Sequence, residues 1–485
     1  MEIMNRKLKV LFLSAEASPL VKIGGLGDVA GSLPSALYSL PSPPDIRVVL
    51  PLYPQIKKSS LDLTPVTSFE VSHRDSPLQT EVFEAAVNGI SYYFIDGPPV
   101  ASSPAVYSGD NYLDGAKFTF FSLAAMELSK LLKWRPDILH AHDWHAAPAV
   151  YHLRLIKNRD DFYKDTKSLL TVHNLPFLGH GAEDALQAFG LPRAHMSTLP
   201  DWAEQLPLAL GLLSADKINT VSPGYAAEML TPEFGAHLED FLKSRKGDLL
   251  GILNGLDLVS WDPRTDGSLH TTYSINSLEN RRENKQLLLE ELGLSPSLET
   301  PLLAMINRMD HQKGVDLVPP ALEKIVDLNW QAIILGTGDK DIEETARQLD
   351  LDHSRIRSVL KYDGDLARRI YGSSDLIMIP SRYEPCGLTQ MIGMRYGCVP
   401  LARATGGLKD TIIDYHAGKP GTSTGFLFQK PTSRALASTL RRALEVYQDQ
   451  RRWSGLQRRG MKLDFSWKRS ALKYMDLYQE LISGR

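Results

Sequence analysis

Short apolar runs bounded by Gly, Pro, Asn and Asp recur along nearly the whole chain, and stretches with apolar residues at helical spacing separate them. Runs of this length read as strands buried on both faces, and their alternation with helices argues parallel sheets joined by crossover helices. In the first half the spacing predicts strands at 8–14, 46–50, 91–95, 137–141, 168–172 and 217–221. In the second half it predicts them at 301–306, 330–335, 375–379 and 398–402. Between the halves lies Gly251-Ile252-Leu253-Asn254-Gly255-Leu256-Asp257, then a polar stretch with Pro263, Thr265 and Asp266, which reads as a hinge. The expected domains are 1–255 and 256–465, followed by a terminal segment, 466–485, with Leu472, Met475, Leu477, Tyr478 and Leu481 at helical spacing. That helix caps the second domain or crosses back onto the first. The fold class is α/β, with two doubly wound domains facing across a cleft at the C-terminal ends of their sheets, where such folds bind ligands.

At 485 residues the chain exceeds one ordinary core, so two or three domains are expected. Lys+Arg 54 against Asp+Glu 57 gives a net charge of −3, which excludes nucleic acid and an anionic membrane as main partners. Cys386 and Cys398 are the only cysteines, which points to a reducing compartment without disulfides. No apolar stretch approaches a membrane span, and the N-terminal run is short enough to be a first strand rather than a signal peptide. Without a long Ser/Arg-rich leader, plastid import is not expected. A cytoplasmic protein is the expectation.

Lys22-Ile23-Gly24-Gly25-Leu26-Gly27-Asp28 follows the run Lys9–Leu13 and leads into a helical stretch that begins near Val29 and passes through Leu33 and Leu37. Glycines let a ligand approach the backbone, and amides at the start of a helix favour an anion. Lys22 adds a cation and Asp28 an acceptor for hydroxyls, a combination suited to a phosphorylated, hydroxylated ligand such as a nucleotide sugar. Two other readings exist. One is plain turn chemistry. The other is a dinucleotide fingerprint, since Gly25 to Ala30 fits G-x-G-x-x-A; it is weaker because residues 16–23 separate strand from glycines and Val48-Val49-Leu50 ends in Pro51 rather than an acid.

The remaining motifs also fall where predicted strands end. His140-Ala141-His142-Asp143-Trp144-His145 raises a metal site, but His145 lies past the strand and no separate Cys or acidic pair completes closed coordination. Buried, hydrogen-bonded histidines are the preferred reading, with Asp143 an acceptor near or facing the ligand. Thr171-Val172-His173-Asn174 either meets a ligand or, taken alone, caps a helix. Asn307 to Gly314 puts Arg308 and Lys313 on one strand-to-helix loop. A guanidinium fork and an ammonium suit a diphosphate leaving group without a metal ion, although a solvated basic turn has the same composition. Gly336-Thr337-Gly338-Asp339 would leave room for a nucleotide. In Ser381 to Gln390, Glu384 could accept bonds from ribose or sugar hydroxyls, and Cys386, Gly387 and Leu388 could present backbone amides, followed by Thr389. Cys386 itself reads as a packing residue, because no neighbouring His supports a nucleophilic thiol. Thr405-Gly406-Gly407-Leu408 is the third Gly motif.

Taken together, KIGGLGDVAGSLP, HAHDWHA, TVHN, ADKINTVSP, GILNGLD with WDPRTD, NRMDHQKG, SRYEPCGLTQ and ATGGLKDT resemble, in order, the bacterial glycogen synthases and plant starch synthases of glycosyltransferase family 5. The resemblance spans nearly the whole chain. It implies two Rossmann-like domains of the GT-B type. It also implies a metal-independent, retaining transfer of glucose from ADP-glucose to the non-reducing end of an α-1,4-glucan, with no cofactor. By similarity Lys22 and the Gly25 amide contact the diphosphate, with Gly24 beside them, and Arg308 and Lys313 stabilise departing ADP. Glu384 orients the donor, while Asp28, Asp143, His173 and Asn254 line the glucosyl and acceptor site. Tyr362 stands where the family stacks an aromatic ring on adenine.

Three departures lie in the first domain. Leu206 to Gly211, with Ala209, replaces a usual Asn and Lys; Lys117 stands at a usual Arg; and Phe177-Leu178 replaces Tyr-Gln. They leave open UDP-glucose or a small acceptor on the same chemistry, and, from another class, a non-catalytic glucan-binding protein on this scaffold.

Overall fold

The computed structural model describes residues 6–57, 61–415 and 421–484. They form two compact units: the first runs to Gly255 and takes in the chain from Trp467 onward, and the second spans Leu256–Ser466.

The first unit is built on nine strands: β1 (Lys9–Leu13), β2 (Asp45–Pro51), β3 (Thr64–Val71), β4 (Leu78–Val87), β5 (Ile90–Asp96), β6 (Ile138–His142), β7 (Lys167–Val172), β8 (Lys217–Thr220) and β9 (Leu249–Gly251). Their order is β3-β4-β5-β2-β1-β6-β7-β8-β9. All six expected strands are present, and they pair in parallel. β3 and β4 add an antiparallel edge hairpin. They escaped a search for continuous apolar runs because an edge pair with one solvated face alternates, as in Thr67-Ser68-Phe69-Glu70-Val71.

The second unit has β10 (Leu302–Ile306), β11 (Gln331–Leu335), β12 (Ile356–Val359), β13 (Leu376–Ile379), β14 (Val399–Arg403) and β15 (Phe426–Phe428). They lie in the order β12-β11-β10-β13-β14-β15, all parallel. The four expected strands form its middle. The unforeseen two are the edges, β12 carrying polar Arg357 and Ser358 and β15 being only three residues long.

Among the parallel strands of each sheet the order reverses once, between β1 and β6 and between β10 and β13. Crossovers depart to opposite faces there, so the loops at the strands' C-terminal ends part and leave a crevice. The Gly-rich loop follows β1 and His142-Asp143 ends β6; Asn307–Gly314 follows β10 and Ser381–Leu388 follows β13. The candidate motifs thus sit at the two switch points. The core of the first unit joins Val10, Phe12, Val48, Leu50 and Phe94 to Trp467, Ala471, Tyr474, Leu477, Tyr478 and Leu481 of the helix Trp467–Ser483. Leu472, expected on that stripe, is exposed, because the buried face runs through Ala471 and Tyr474 and passes it by.

Candidate active site

In the first unit the chain leaves β1 and turns through residues 14–24 before the helix Gly25–Tyr38, which begins four residues earlier than expected. Glu16, which sequence reasoning passed over, is 1% exposed. Its Oε2 accepts the N–H of Ile23 at 2.5 Å and of Gly24 at 2.9 Å, and its Oε1 accepts the Tyr107 hydroxyl at 2.5 Å. The glycines divide by cause. A Cβ on Gly31 would lie 2.2 Å from the Ser18 carbonyl oxygen, and one on Gly27 would lie 2.9 Å from Glu16 Oε2. A Cβ on Gly25 would meet nothing within 4 Å, so packing does not demand glycine there. The Gly25 N–H forms no bond among the described residues, whereas that of Gly24 is donated to Glu16. Lys22 Nζ rests 2.7 Å from Asp28 Oδ1, both half-exposed.

The histidines form a buried ladder. His140 bonds Tyr478 Oη through Nδ1 and Thr171 Oγ1 through Nε2, each at 2.8 Å. His142 Nδ1 lies 2.9 Å from His173 Nε2. Asp143 begins the helix Asp143–Ile156 at φ +52°, and its carboxylate accepts the His173 N–H at 2.7 Å. The His173-Asn174 pair therefore does not cap a helix: the next one, Glu183–Ala188, is entered through Ala182. Burial holds His140, His145 and His173 at about 3 and His142 well below its usual value, so all four are neutral at pH 7. Burial pushes Asp143 up to about 7, against the bonds from the His173 and Asn174 backbone. His142 Nε2, His145 Nδ1, Asn174 Oδ1 and Asn254 Oδ1 are buried without a partner. Orphaned polar atoms are costly, and these four lie at or just after the ends of β6, β7 and β9. Among the described residues no group of three or more His, Cys, Asp or Glu is arranged to hold a metal ion.

In the second unit Arg308 is largely exposed, its guanidinium 3.2 Å from Asp310. Asp310 accepts the Lys313 N–H at 2.9 Å and shapes the turn that ends at Gly314, φ +66°, where a Cβ would sit 2.3 Å from the Pro380 carbonyl oxygen. Lys313 Nζ reaches both oxygens of Glu384, at 2.9 and 2.7 Å, and Ser381 Oγ donates to Glu384 at 2.9 Å. Glu384 is buried. The Gly motifs that follow lock together. The Gly407 N–H donates to the Glu384 carbonyl at 3.1 Å, a Cβ on Gly407 would lie 2.0 Å from the Cys386 carbonyl oxygen, and Gly387 sits at φ +74°. Gly406 is also left-handed, at φ +42°. Leu388 and Thr389 enter the helix Thr389–Arg395 with no side-chain cap. Cys386 is buried, as a packing residue would be, and burial pushes the Cys398 thiol up to about 12.

Gly336 and Gly338 are required by the loop beside them. A Cβ there would lie 1.9 Å from the Asn307 and 2.4 Å from the Met309 carbonyl oxygen, so these glycines exist to admit the backbone of the neighbouring loop. Tyr362, after β12, is 89% exposed, its ring free to stack.

The departures prove structural in two cases. Lys117, on the helix Asn111–Leu131, is 0% exposed and donates to the carbonyls of Ser103, Ala105 and Val106, to Ser103 Oγ and to Asp114. It staples a loop rather than reaching a ligand. Ala209 and its neighbours Leu206, Leu208 and Leu210 are buried, and Gly211 abuts Ala147. Leu178 is buried as well, but Phe177 is 62% exposed.

Comparison with known proteins supplies the lineage. The family described as starch synthase catalytic domain matches residues 9–244, and that described as glycosyl transferases group 1 matches residues 294–458. Glycogen synthase of Desulforudis audaxviator is 37% identical over 98% of this chain and 97% of its own length. That of Moorella thermoacetica is 38% identical over 99% and 98%. The solved catalytic domain of starch synthase IV from Arabidopsis thaliana, bound to ADP and acarbose, superposes with a TM-score of 0.88 at 32% identity, covering 99% of this chain and 100% of that one. The switch-point motifs, the two Rossmann-like units and the full-length relatedness converge: the chain belongs to the glycogen and starch synthase family of GT-B glycosyltransferases.

Proposed function

We propose that the chain is a retaining glucosyltransferase that elongates an α-1,4-glucan by moving glucose from ADP-glucose to the non-reducing end. The observation that carries this reading is the cation pair on one loop at the switch point of the second unit: Arg308, paired with Asp310, and Lys313, doubly bonded to Glu384. Retention without a covalent intermediate lets the leaving diphosphate take the acceptor proton on the same face of the sugar. The barrier then depends on stabilising charge that grows on that phosphate, which fixed cations do most effectively. Each cation is paired at rest, Arg308 with Asp310 and Lys313 with Glu384, and Arg308, the far more exposed of the two, is the freer to turn to the phosphate. Glu384, fixed by Lys313 and Ser381, orients the donor; Cys386, Gly387, Leu388, Thr389, Gly406 and Gly407 form the wall beside it, and Tyr362 stacks on the base.

In the first unit, Lys22 and the open Gly25 amide contact the diphosphate, the former by exchanging Asp28 for phosphate. Asp28, Asp143, His173 and Asn254 receive the glucosyl and acceptor hydroxyls. The protein works in the cytoplasm in this reading; among the described residues no helix is long and apolar enough to cross a membrane. Tyr362 would stack on adenine or uracil alike, and exposed Phe177 stands where the family has a polar-tipped ring, so donor and acceptor are tested together.

The experiment is transfer of labelled glucose to glycogen from ADP-glucose and UDP-glucose, side by side, without added metal. Incorporation from ADP-glucose is expected. ADP release without incorporation would replace glycogen by another acceptor, and no release from either donor would overturn the catalytic reading.

A further inference from the structure

The Gly-rich loop of the first unit is held by a side chain that the reaction above does not use. Glu16 is a buried carboxylate placed beside a loop offered to an anion, where a second negative charge is unfavourable unless it serves the loop itself. Its three hydrogen bonds say what it serves. Oε2 takes the N–H groups of Ile23 and Gly24, and Oε1 takes the hydroxyl of Tyr107. Tyr107 directly follows the segment Ser103 to Val106, whose carbonyls are pinned by the buried Lys117 ammonium at 2.8–3.3 Å. A continuous set of bonds thus runs from the helix Asn111–Leu131 through Tyr107 and Glu16 into the loop.

We propose that Glu16, backed by Tyr107, is the positioning residue that sets the main chain of residues 22–25 for the donor diphosphate, an inference that rests on the function proposed above. By consuming the Ile23 and Gly24 amides it leaves Gly25 as the first open N–H, so an anion registers on the helix start and not one residue earlier. With both amides pinned, Lys22 can exchange Asp28 for a phosphate without moving its own backbone. Glu16 also accounts for Gly27, whose Cβ would collide with Oε2. The Lys-for-Arg departure at position 117 belongs to the same device, as the internal anchor of the segment that carries Tyr107.

The test combines hydrogen–deuterium exchange of the unliganded full chain with steady-state kinetics for Glu16→Ala, Glu16→Gln and Tyr107→Phe. Glu16→Ala should lose exchange protection at Ile23 and Gly24 and raise the KM for ADP-glucose roughly tenfold or more, with the KM for glycogen unchanged. Glu16→Gln, whose amide oxygen still accepts both N–H groups, should restore most of each. Tyr107→Phe should raise the donor KM by about threefold, since it removes one hydrogen bond and leaves the carboxylate. A Glu16→Ala protein with a protected loop or a wild-type donor KM overturns the proposal. So does Glu16→Gln as impaired as Glu16→Ala, which would mean that charge and not acceptance matters. If Glu16→Ala does not fold, Tyr107→Phe decides, and wild-type exchange and KM there overturn the proposal. A wild-type protein inactive with ADP-glucose would remove the proposed function instead, and loop exchange in the variants would still decide whether Glu16 anchors these amides.

Discussion

Two glycines of one sequence type answer to different physics. Gly407 is glycine because the Cys386 carbonyl leaves no space for a Cβ, and Gly25 is glycine although its surroundings are empty. Gly407→Ala is therefore expected to cost about 1–3 kcal/mol of stability through overpacking, measured by denaturant unfolding. Gly25→Ala should keep the wild-type thermal midpoint while weakening ADP-glucose binding, because only a ligand approaches there. Equal destabilisation of both variants would remove Gly25 from the donor site. Arg308→Ala or Lys313→Ala should lower turnover roughly 10²-fold or more, by analogy with lost electrostatic donors, and near-wild-type turnover would remove either residue from that role. At this scale the chemistry-bearing residues were legible as types at strand ends. Their partners were not: that Lys313 pairs with Glu384, that Lys117 is spent on carbonyls, and that Glu16 holds the loop all depend on residues distant in sequence or on a side chain's direction.

The ends of β6 and β7 carry the ladder His140, His142 and His173, and titration of these strand ends gives the fold a pH dependence. His140, His145 and His173 titrate at about 3 when folded and near 6.5 when unfolded, so between those values the unfolded chain binds protons that the folded one refuses. Stability then rises with pH across that window, and below it these groups contribute no further change. Asp143 acts oppositely between 3.8 and about 7, since its folded form keeps a proton that the unfolded chain has lost. His142 is depressed in the same sense, so four groups oppose one and the thermal midpoint should climb as pH is raised from about 4.5 to 6.5. A flat profile would count against a neutral, buried ladder. The strands that hold these groups could be read from their continuous apolar runs, because parallel strands buried on both faces have no polar side to disguise them. β3, β4, β9, β12 and β15 could not: β3, β9, β12 and β15 are edges and β4 belongs to the edge hairpin, so their residues answer to solvent as much as to the core.

Across the molecule, the helix Trp467–Ser483 is the longest-range commitment the chain makes. It contributes Trp467, Ala471, Tyr474, Leu477, Tyr478 and Leu481 to the first unit's core, and it bonds His140 through Tyr478 and Asn219 through Tyr474. Each large apolar side chain so buried is worth roughly 1.5–3 kcal/mol, a sum comparable to the whole stability of a domain. Deleting residues 467–485 should therefore leave the first unit unfolded or aggregated at 37 °C, checked by circular dichroism and solubility. A soluble truncation with an unchanged melting profile would show that the helix is dispensable. The amphipathic spacing of this segment predicts a helix without naming the surface it covers.

Periodicity and turn chemistry are local properties, and they were enough to place ten strands, to foresee two Rossmann-like units and, with the ordered motifs, to reach the family. Which loops stand together at a switch point, which cation faces which carboxylate, and which glycines serve packing rather than a ligand are set by contacts between residues tens to hundreds of positions apart. Those contacts are fixed only when burial, hydrogen bonding and close packing are satisfied together, and no window of sequence contains that condition.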